Sequence, residues 1–343
     1  MSAIPQTNAS AFVRPRGSLQ GSDELPPSWN DPRVAWKPLI HPRADQICRE
    51  HDDYFLQHWP FPDDKSRQAF VQAEFARFPC LALPLGHDDR LPPRVQVDVL
   101  EEMSLSDGEA YNARLMPIMR GDVRPNRTKP VEYILYDLWE DMRRKNRTQA
   151  DEMLEATFCL MRAQTNKVRL SITQLDEYLK YRAQDVGIAM LCGLTGFAMD
   201  VELTAEEQDA MIPLERNFGR QISVVNDLWS WEKEFRASQA GHKEGAAISS
   251  AVNVLSMEAG LGFTAARRVL QAMVLEWDMA HNELVAEQLA RPGGCRPAVQ
   301  LYMKGLEYHM SGNEVWSRTT RRYVDSVDTD CTVHVAEGQV VSS

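Results

Sequence analysis

Asn226-Asp227-Leu228-Trp229-Ser230-Trp231-Glu232-Lys233-Glu234 sits inside a helical pattern that runs from Ala205 to Phe235. A helix turns about 100° per residue, so positions 226, 230 and 234 step by about 40° and share one stripe. An amide, a hydroxyl and a carboxylate therefore line up, and Lys233 falls in the same sector. Phe218, Ile222, Val225 and Trp229 form an apolar stripe beside it. The stretch reads as a helix carrying hard oxygen donors and one cation at the edge of an apolar wall. Such donors suit Mg²⁺ rather than zinc. One carboxylate cannot hold the ion alone, so waters and phosphate oxygens have to complete the shell, with Lys233 on the phosphate. The spacing by itself equally describes an amphipathic helix with a solvated polar margin.

Helical patterns continue on both sides. They cover Asp63–Arg77, Thr148–Asn166, Ser171–Arg182, Gly245–Ala259, Thr264–Glu287 and about Ala298–Ser326. Pro79, Pro84, the Pro92-Pro93 pair, Gly121-Asp122 and Arg291-Pro292-Gly293-Gly294 mark loops. Strand-like alternation is short wherever it occurs, so the expected fold is an all-α bundle in one domain. Residues 1–44, broken by six prolines up to Pro38, are expected to form a mobile arm. The helical domain follows over 45–326, and 327–343 reads as a polar tail.

The chain has 343 residues, of which 43% are hydrophobic and 25% charged, an ordinary globular balance. A formal net charge of -11 argues against a general nucleic-acid-binding surface. No apolar run approaches the roughly eighteen residues that suggest a membrane span. Six scattered cysteines show no CxxC spacing, and eight histidines form no HExxH helix. A soluble protein of the reducing cytoplasm is the simplest expectation, as a monomer or homodimer. Asp88-Asp89 reads as a loop or turn, and Asp52-Asp53 and Asp63-Asp64 as turn or helix N-terminal acids.

Two further cationic sites stand apart from the first stretch. Tyr178-Leu179-Lys180-Tyr181-Arg182 closes a helix shortly before Gly187, and a guanidinium there can grip a phosphate bidentately. It also suits a surface arginine facing the helix dipole. Near the chain end, Arg322-Tyr323 follows Trp316 by two helical turns, so Trp316 and Tyr323 share a face. A Trp face stabilises a nearby cation by roughly 0.5–2 kcal/mol.

The wording of the first stretch resembles the metal-binding triad of class I terpene synthases, Asn/Asp-Asp-x-x-Ser/Thr-x-x-x-Glu. The Lys before the last Glu is similar to fungal, aristolochene-synthase-like members. This resemblance covers roughly residues 45–325 and implies an antiparallel α-helical bundle of the class I type. It gives Asn226, Ser230 and Glu234 metal-ligand roles and Lys233 a diphosphate contact. Arg182 matches the family's diphosphate-sensing arginine, with Asp185 as the linker to a helix break at Val186-Gly187 that presents a carbonyl to the ionising substrate. Arg322-Tyr323 matches the pair that closes over the diphosphate. Trp316 and Phe158 are then candidate wall residues.

The family's DDxx(D/E) motif is altered. Asp98-Val99-Leu100-Glu101-Glu102 resembles it, but Val97 stands where the first metal-binding Asp belongs. Leu91-Pro92-Pro93-Arg94-Val95-Gln96 replaces the long apolar helix that should precede it, since prolines cannot sit inside a continuing helix. Asp98 and Glu102, spaced i and i+4, could shift register and still face the metals. An altered splice or gene reading, or a lineage with changed chemistry, are the competing explanations.

What the resemblance implies is a Mg²⁺-dependent sesquiterpene cyclase that binds three ions, ionises farnesyl diphosphate and cyclises the carbocation. Two rivals remain at this point. A chain-elongating prenyltransferase would want a second aspartate-rich motif in place of the Asn-Ser-Glu pattern. A non-catalytic helical protein could bind the ligand after losing its acidic motif.

Overall fold

The computed structural model describes residues 28–34, 36–91, 103–239, 249–323 and 334–335. Twelve α-helices are described: α1 Ala44–His58, α2 Asp64–Gln72, α3 Arg77–Ala82, α4 Leu105–Arg120, α5 Pro130–Lys145, α6 Arg147–Gln164, α7 Leu175–Asp185, α8 Ile188–Ala198, α9 Ala205–Gln239, α10 Ala251–Ala259, α11 Phe263–Leu289 and α12 Pro297–Thr319. Two short strands, β1 Leu39–Ile40 and β2 His334–Val335, pair in parallel. The all-α expectation holds.

Local chemistry sets the helix ends. Asp63 accepts from the Ser66 N–H at 2.7 Å to start α2. Ser104 accepts from Asp107 N–H at 3.1 Å before α4, and Asn146 accepts from Gln149 N–H at 3.1 Å before α6. Pro130 and Pro297 stand in the first turns of α5 and α12, where a missing N–H costs nothing. The stretch expected as one helix over 63–77 divides, because Glu74 adopts a left-handed φ of 48° between α2 and α3. Pro79, expected to mark a loop, lies in the first turn of α3, where its ring and missing N–H are tolerated. Asp52 and Asp53, expected as turn or N-terminal acids, lie within α1.

The 35-residue α9 runs through the middle of the bundle and packs against α7, α8, α10, α11 and α12. Its buried Leu214, Phe218, Ile222 and Val225 face the two central cores. On one side α3 packs on α1 and α12; on the other α6 packs on α4, α5, α7 and α8. The α3–α12 contact is backbone-close: a Cβ on Gly312 would lie 2.2 Å from the Leu81 carbonyl oxygen. Only glycine fits there.

The segment expected to be a mobile arm through residue 44 is packed from Ser28 onward. Ser28 donates its N–H and Oγ to Glu314 at 3.2 and 2.7 Å, and Val34 and Trp36 are buried. Burial of those apolar side chains outweighs the helix-breaking prolines around them. Of the expected polar tail, only β2 is described, paired with β1. Under Ser28 lies a buried charged seam. Glu314 pairs with Arg318 at 3.6 Å, and the Arg318 guanidinium lies 4.5 Å over the Trp229 ring. Asp278 of α11, fully buried, is pushed up to about 8 by burial and then by the Glu314 carboxylate.

Candidate active site

Helices α3 to α9 and α12 enclose a cavity of about 450 Å³. Asn226, Ser230, Lys233 and Glu234 line it from one face of α9, as the stripe required. Arg182 and Asp185 reach it from the end of α7, and Trp316, Arg322 and Tyr323 from the end of α12 and the turn beyond. Residues more than forty positions apart thus meet at one end. The remaining walls are mostly apolar, with Leu135, Leu138, Met153, Met190 and Leu194 from α5, α6 and α8.

The polar end is a connected network. Arg182 donates from Nη2 to Asn226 Oδ1 at 2.9 Å and to Asp227 Oδ1 at 2.9 Å, and from Nε to Asp227 Oδ1 at 3.1 Å. Its Nη1 pairs with Asp185. Asn226 donates from Nδ2 to the Tyr323 hydroxyl at 3.2 Å, and Ser230 Oγ donates to Glu234 Oε1 at 2.7 Å. Asp227 is fully buried behind the cavity wall, and its Oδ2 accepts from the Tyr178 hydroxyl at 2.6 Å and from Ala251 N–H at 2.8 Å. Burial opposes the Arg182 charge, but Asp227, Tyr178, Asp185 and Glu234 more than offset it, so the guanidinium stays charged. Burial pushes the Glu234 carboxyl up, Asp227 adds to this, and the Ser230 hydroxyl draws it back.

The α7–α8 break falls at Val186-Gly187, where Gly187 takes a left-handed φ of 76°. Val186 lines the cavity; Gly187 is packed against Leu160, 3.0 Å from where a Cβ would stand. Trp316 donates its indole N–H to the Glu74 carbonyl at 3.3 Å. Its ring meets Phe78 and Tyr323 edge-on at 5.3 and 5.5 Å. Arg322 lies 5.5 Å over Phe75.

Phe158 is placed elsewhere. It is fully buried in the core beside Trp139 and Leu154, with Arg120 at 4.9 Å over its ring, and does not line the cavity. On α6 the lining face is Met153, Thr157, Leu160, Met161 and Gln164, and Phe158 points about 100° away from Thr157. Asp98 and Glu102 lie outside the described residues, whereas Ser104, Leu105 and Gly108 just after them border the cavity.

Sequence reasoning missed three participants: Asp227, Tyr178 and Arg169. Tyr178 and Arg182 stand one turn apart on α7, a spacing that lets both reach one partner. Arg169, in the 3₁₀ turn Lys167–Leu170, lines the cavity and donates to the Gln164 carbonyl at 3.1 Å; nothing in its sequence context signals this.

Among the described residues no group of three or more His, Cys, Asp and Glu side chains could hold a metal. The amide, hydroxyl and carboxylate oxygens of Asn226, Ser230 and Glu234, on consecutive turns, are a hard donor set that fits a divalent cation sharing its shell with other oxygens.

The model for terpene synthase family 2, C-terminal metal binding, matches residues 97–277. Aristolochene synthase from Penicillium roqueforti is 52% identical over 300 residues, covering 85% of this chain and 88% of that one. The chain belongs to the terpene synthase family. Aristolochene synthase from Aspergillus terreus is 44% identical over 323 residues, 92% of this chain and 99% of that one. The crystal structure of the Penicillium roqueforti aristolochene synthase superposes with a TM-score of 0.73 at 49% identity, covering 84% of this chain and 99% of that chain. Hedycaryol synthase in complex with nerolidol, at 18% identity and a TM-score of 0.63, shares the fold. The protein is a terpene cyclase of the lyase class with the all-α class I fold. Among the described residues no helix is long and apolar enough to cross a membrane.

Proposed function

We propose that this terpene synthase is a magnesium-dependent sesquiterpene cyclase acting on farnesyl diphosphate in the cytoplasm. The observation that carries this reading is the meeting of Asn226, Ser230, Glu234, Lys233, Arg182 and Arg322 at one end of a mostly apolar cavity. An anionic head and a hydrocarbon tail fit such a division. The names of its relatives make aristolochene the expected hydrocarbon.

Asn226, Ser230 and Glu234 would hold magnesium, which supplies electrophilic pull on the diphosphate oxygens when bound. Any contribution of Asp98 and Glu102 to that shell is part of the proposal. Arg182, Lys233 and Arg322 neutralise the charge that builds on the leaving diphosphate, and Tyr323 adds a hydroxyl donor. The Val186-Gly187 break, linked to Arg182 through Asp185, offers a backbone carbonyl toward the allylic carbon as positive charge develops. Trp316, with Phe75 and Phe78 around it, presents aromatic faces to the carbocation and shields it from water.

The test is incubation of the full chain with farnesyl diphosphate and Mg²⁺, with extraction and gas chromatography. A cyclic C15 hydrocarbon is expected, and chelation should abolish it. A longer prenyl diphosphate, or substrate bound and returned unchanged, would overturn the reading.

A further inference from the structure

We infer that Asp227 is a positioning residue that pins one edge of the Arg182 guanidinium so that the other edge faces the diphosphate. This rests on the diphosphate-binding reading above and names the part of the site that makes Arg182 selective in direction.

Four bonds account for four of the five N–H donors of a guanidinium: Nε and Nη2 to Asp227, Nη2 to Asn226, and Nη1 to Asp185. These partners differ in kind. Asp185 and Asn226 line the cavity, so an incoming anion can take over their bonds. Asp227 does not line it and is fully buried. Its second oxygen is held by Tyr178 from α7 and by Ala251 N–H at the start of α10. A carboxylate whose Oδ2 is held by Tyr178 and by the start of α10 cannot follow Arg182 toward a ligand. The Nε–Nη2 edge therefore stays anchored, and Nη1 is the edge left to turn toward the cavity. Preorganisation of this sort lowers the cost of ordering a long side chain at the moment of binding.

An amide cannot replace this carboxylate. Asp227 accepts on Oδ1 from Arg182 and on Oδ2 from Tyr178 and Ala251, so every neighbour is a donor. In Asp227→Asn the NH₂ group must face either the guanidinium or the Ala251 N–H.

Equilibrium binding of inorganic pyrophosphate in Mg²⁺, measured by calorimetry on the full chain, reads the effect without turnover. Asp227→Asn should weaken it by about 10- to 100-fold, the range of one lost charge-assisted hydrogen bond. Val252→Ala, beside Ala251 but away from the guanidinium, should lower Tm and leave pyrophosphate affinity unchanged. In an Arg182→Gln background, Asp227→Asn should add less than about twofold, since it acts through Arg182. If Asp227→Asn does not fold, Tyr178→Phe takes its place, with a loss of about threefold or more that vanishes in Arg182→Gln. Wild-type affinity in Asp227→Asn, or an equal loss in both backgrounds, overturns the positioning role while leaving the cyclase reading intact. A wild-type chain that binds no pyrophosphate overturns both.

Discussion

Replacing Asp278 with Asn should flatten the dependence of stability on pH between about 6.5 and 8. In the native protein Asp278 holds its proton up to about 8, against the 3.8 of an ordinary aspartate. The groups facing it are Glu314 and, through Glu314, Arg318 of α12, Gln221 of α9 and Ser28 of the amino-terminal segment. Below both values the carboxyl is protonated folded or unfolded, and pH has no effect. Between them the unfolded chain releases the proton and the native protein keeps it, so stability falls as pH rises. The loss levels off above the native value of about 8. Each pH unit in the window costs about 1.36 kcal/mol, so from 6.5 to 8 the wild type loses roughly 1.5–2 kcal/mol through this group. Burial lowers His281 to about 4, so it is neutral in the native protein throughout the window, while the unfolded imidazole, ordinarily near 6.5, still sheds protons there; this adds an opposing rise of about 0.4 kcal/mol that both proteins share. An unfolding entropy of about 2.1 cal/mol/K per residue converts the loss into roughly 2–3 °C of Tm. Circular dichroism melts at pH 6.5, 7.2 and 8, at one scan rate, should show this decline in the wild type and much less of it in Asp278→Asn. Parallel slopes in the two proteins would refute the argument.

Three other substitutions probe the site. Glu234→Gln keeps an acceptor for the Ser230 hydroxyl but removes the one carboxylate of the α9 stripe; turnover of farnesyl diphosphate should drop by about 100-fold or more with the circular dichroism spectrum unchanged. Trp316→Leu removes the aromatic face between Phe78 and Tyr323, worth roughly 0.5–2 kcal/mol to a nearby cation, and gas chromatography should show more acyclic or altered hydrocarbon. Gly187→Ala forces a Cβ into a φ of 76° and to 3.0 Å from Leu160, a cost of about 1–2 kcal/mol that should lower Tm by roughly 1–3 °C.

What could be read from the residues follows the range of the forces involved. The α9 stripe was legible because helical geometry alone decides which side chains share a face. The break at Gly187 was legible for a local reason too. The fate of α12 was not: it was expected to run to Ser326 and ends at Thr319, where Thr320 turns out and donates its hydroxyl to the Ala73 carbonyl at 2.9 Å. That partner is 247 positions away, beyond any local pattern. Ser28 on Glu314 is likewise a long-range bond that holds a segment whose own composition looks loose. Phe158 illustrates a smaller error, since a single residue of rotation separates a cavity wall from the core behind it.

The glycine at 312 has a bearing on how the reaction chamber can change. With α12 and α3 in near backbone contact at Leu81, the corner that carries Trp316 and Phe78 has no slack to give. Differences in chamber contour among such proteins must then arise across from it, on the surfaces of α4, α5, α6 and α8, where flexible Met and Leu side chains predominate. One side serves as a rigid datum, and the opposite side is the adjustable mould.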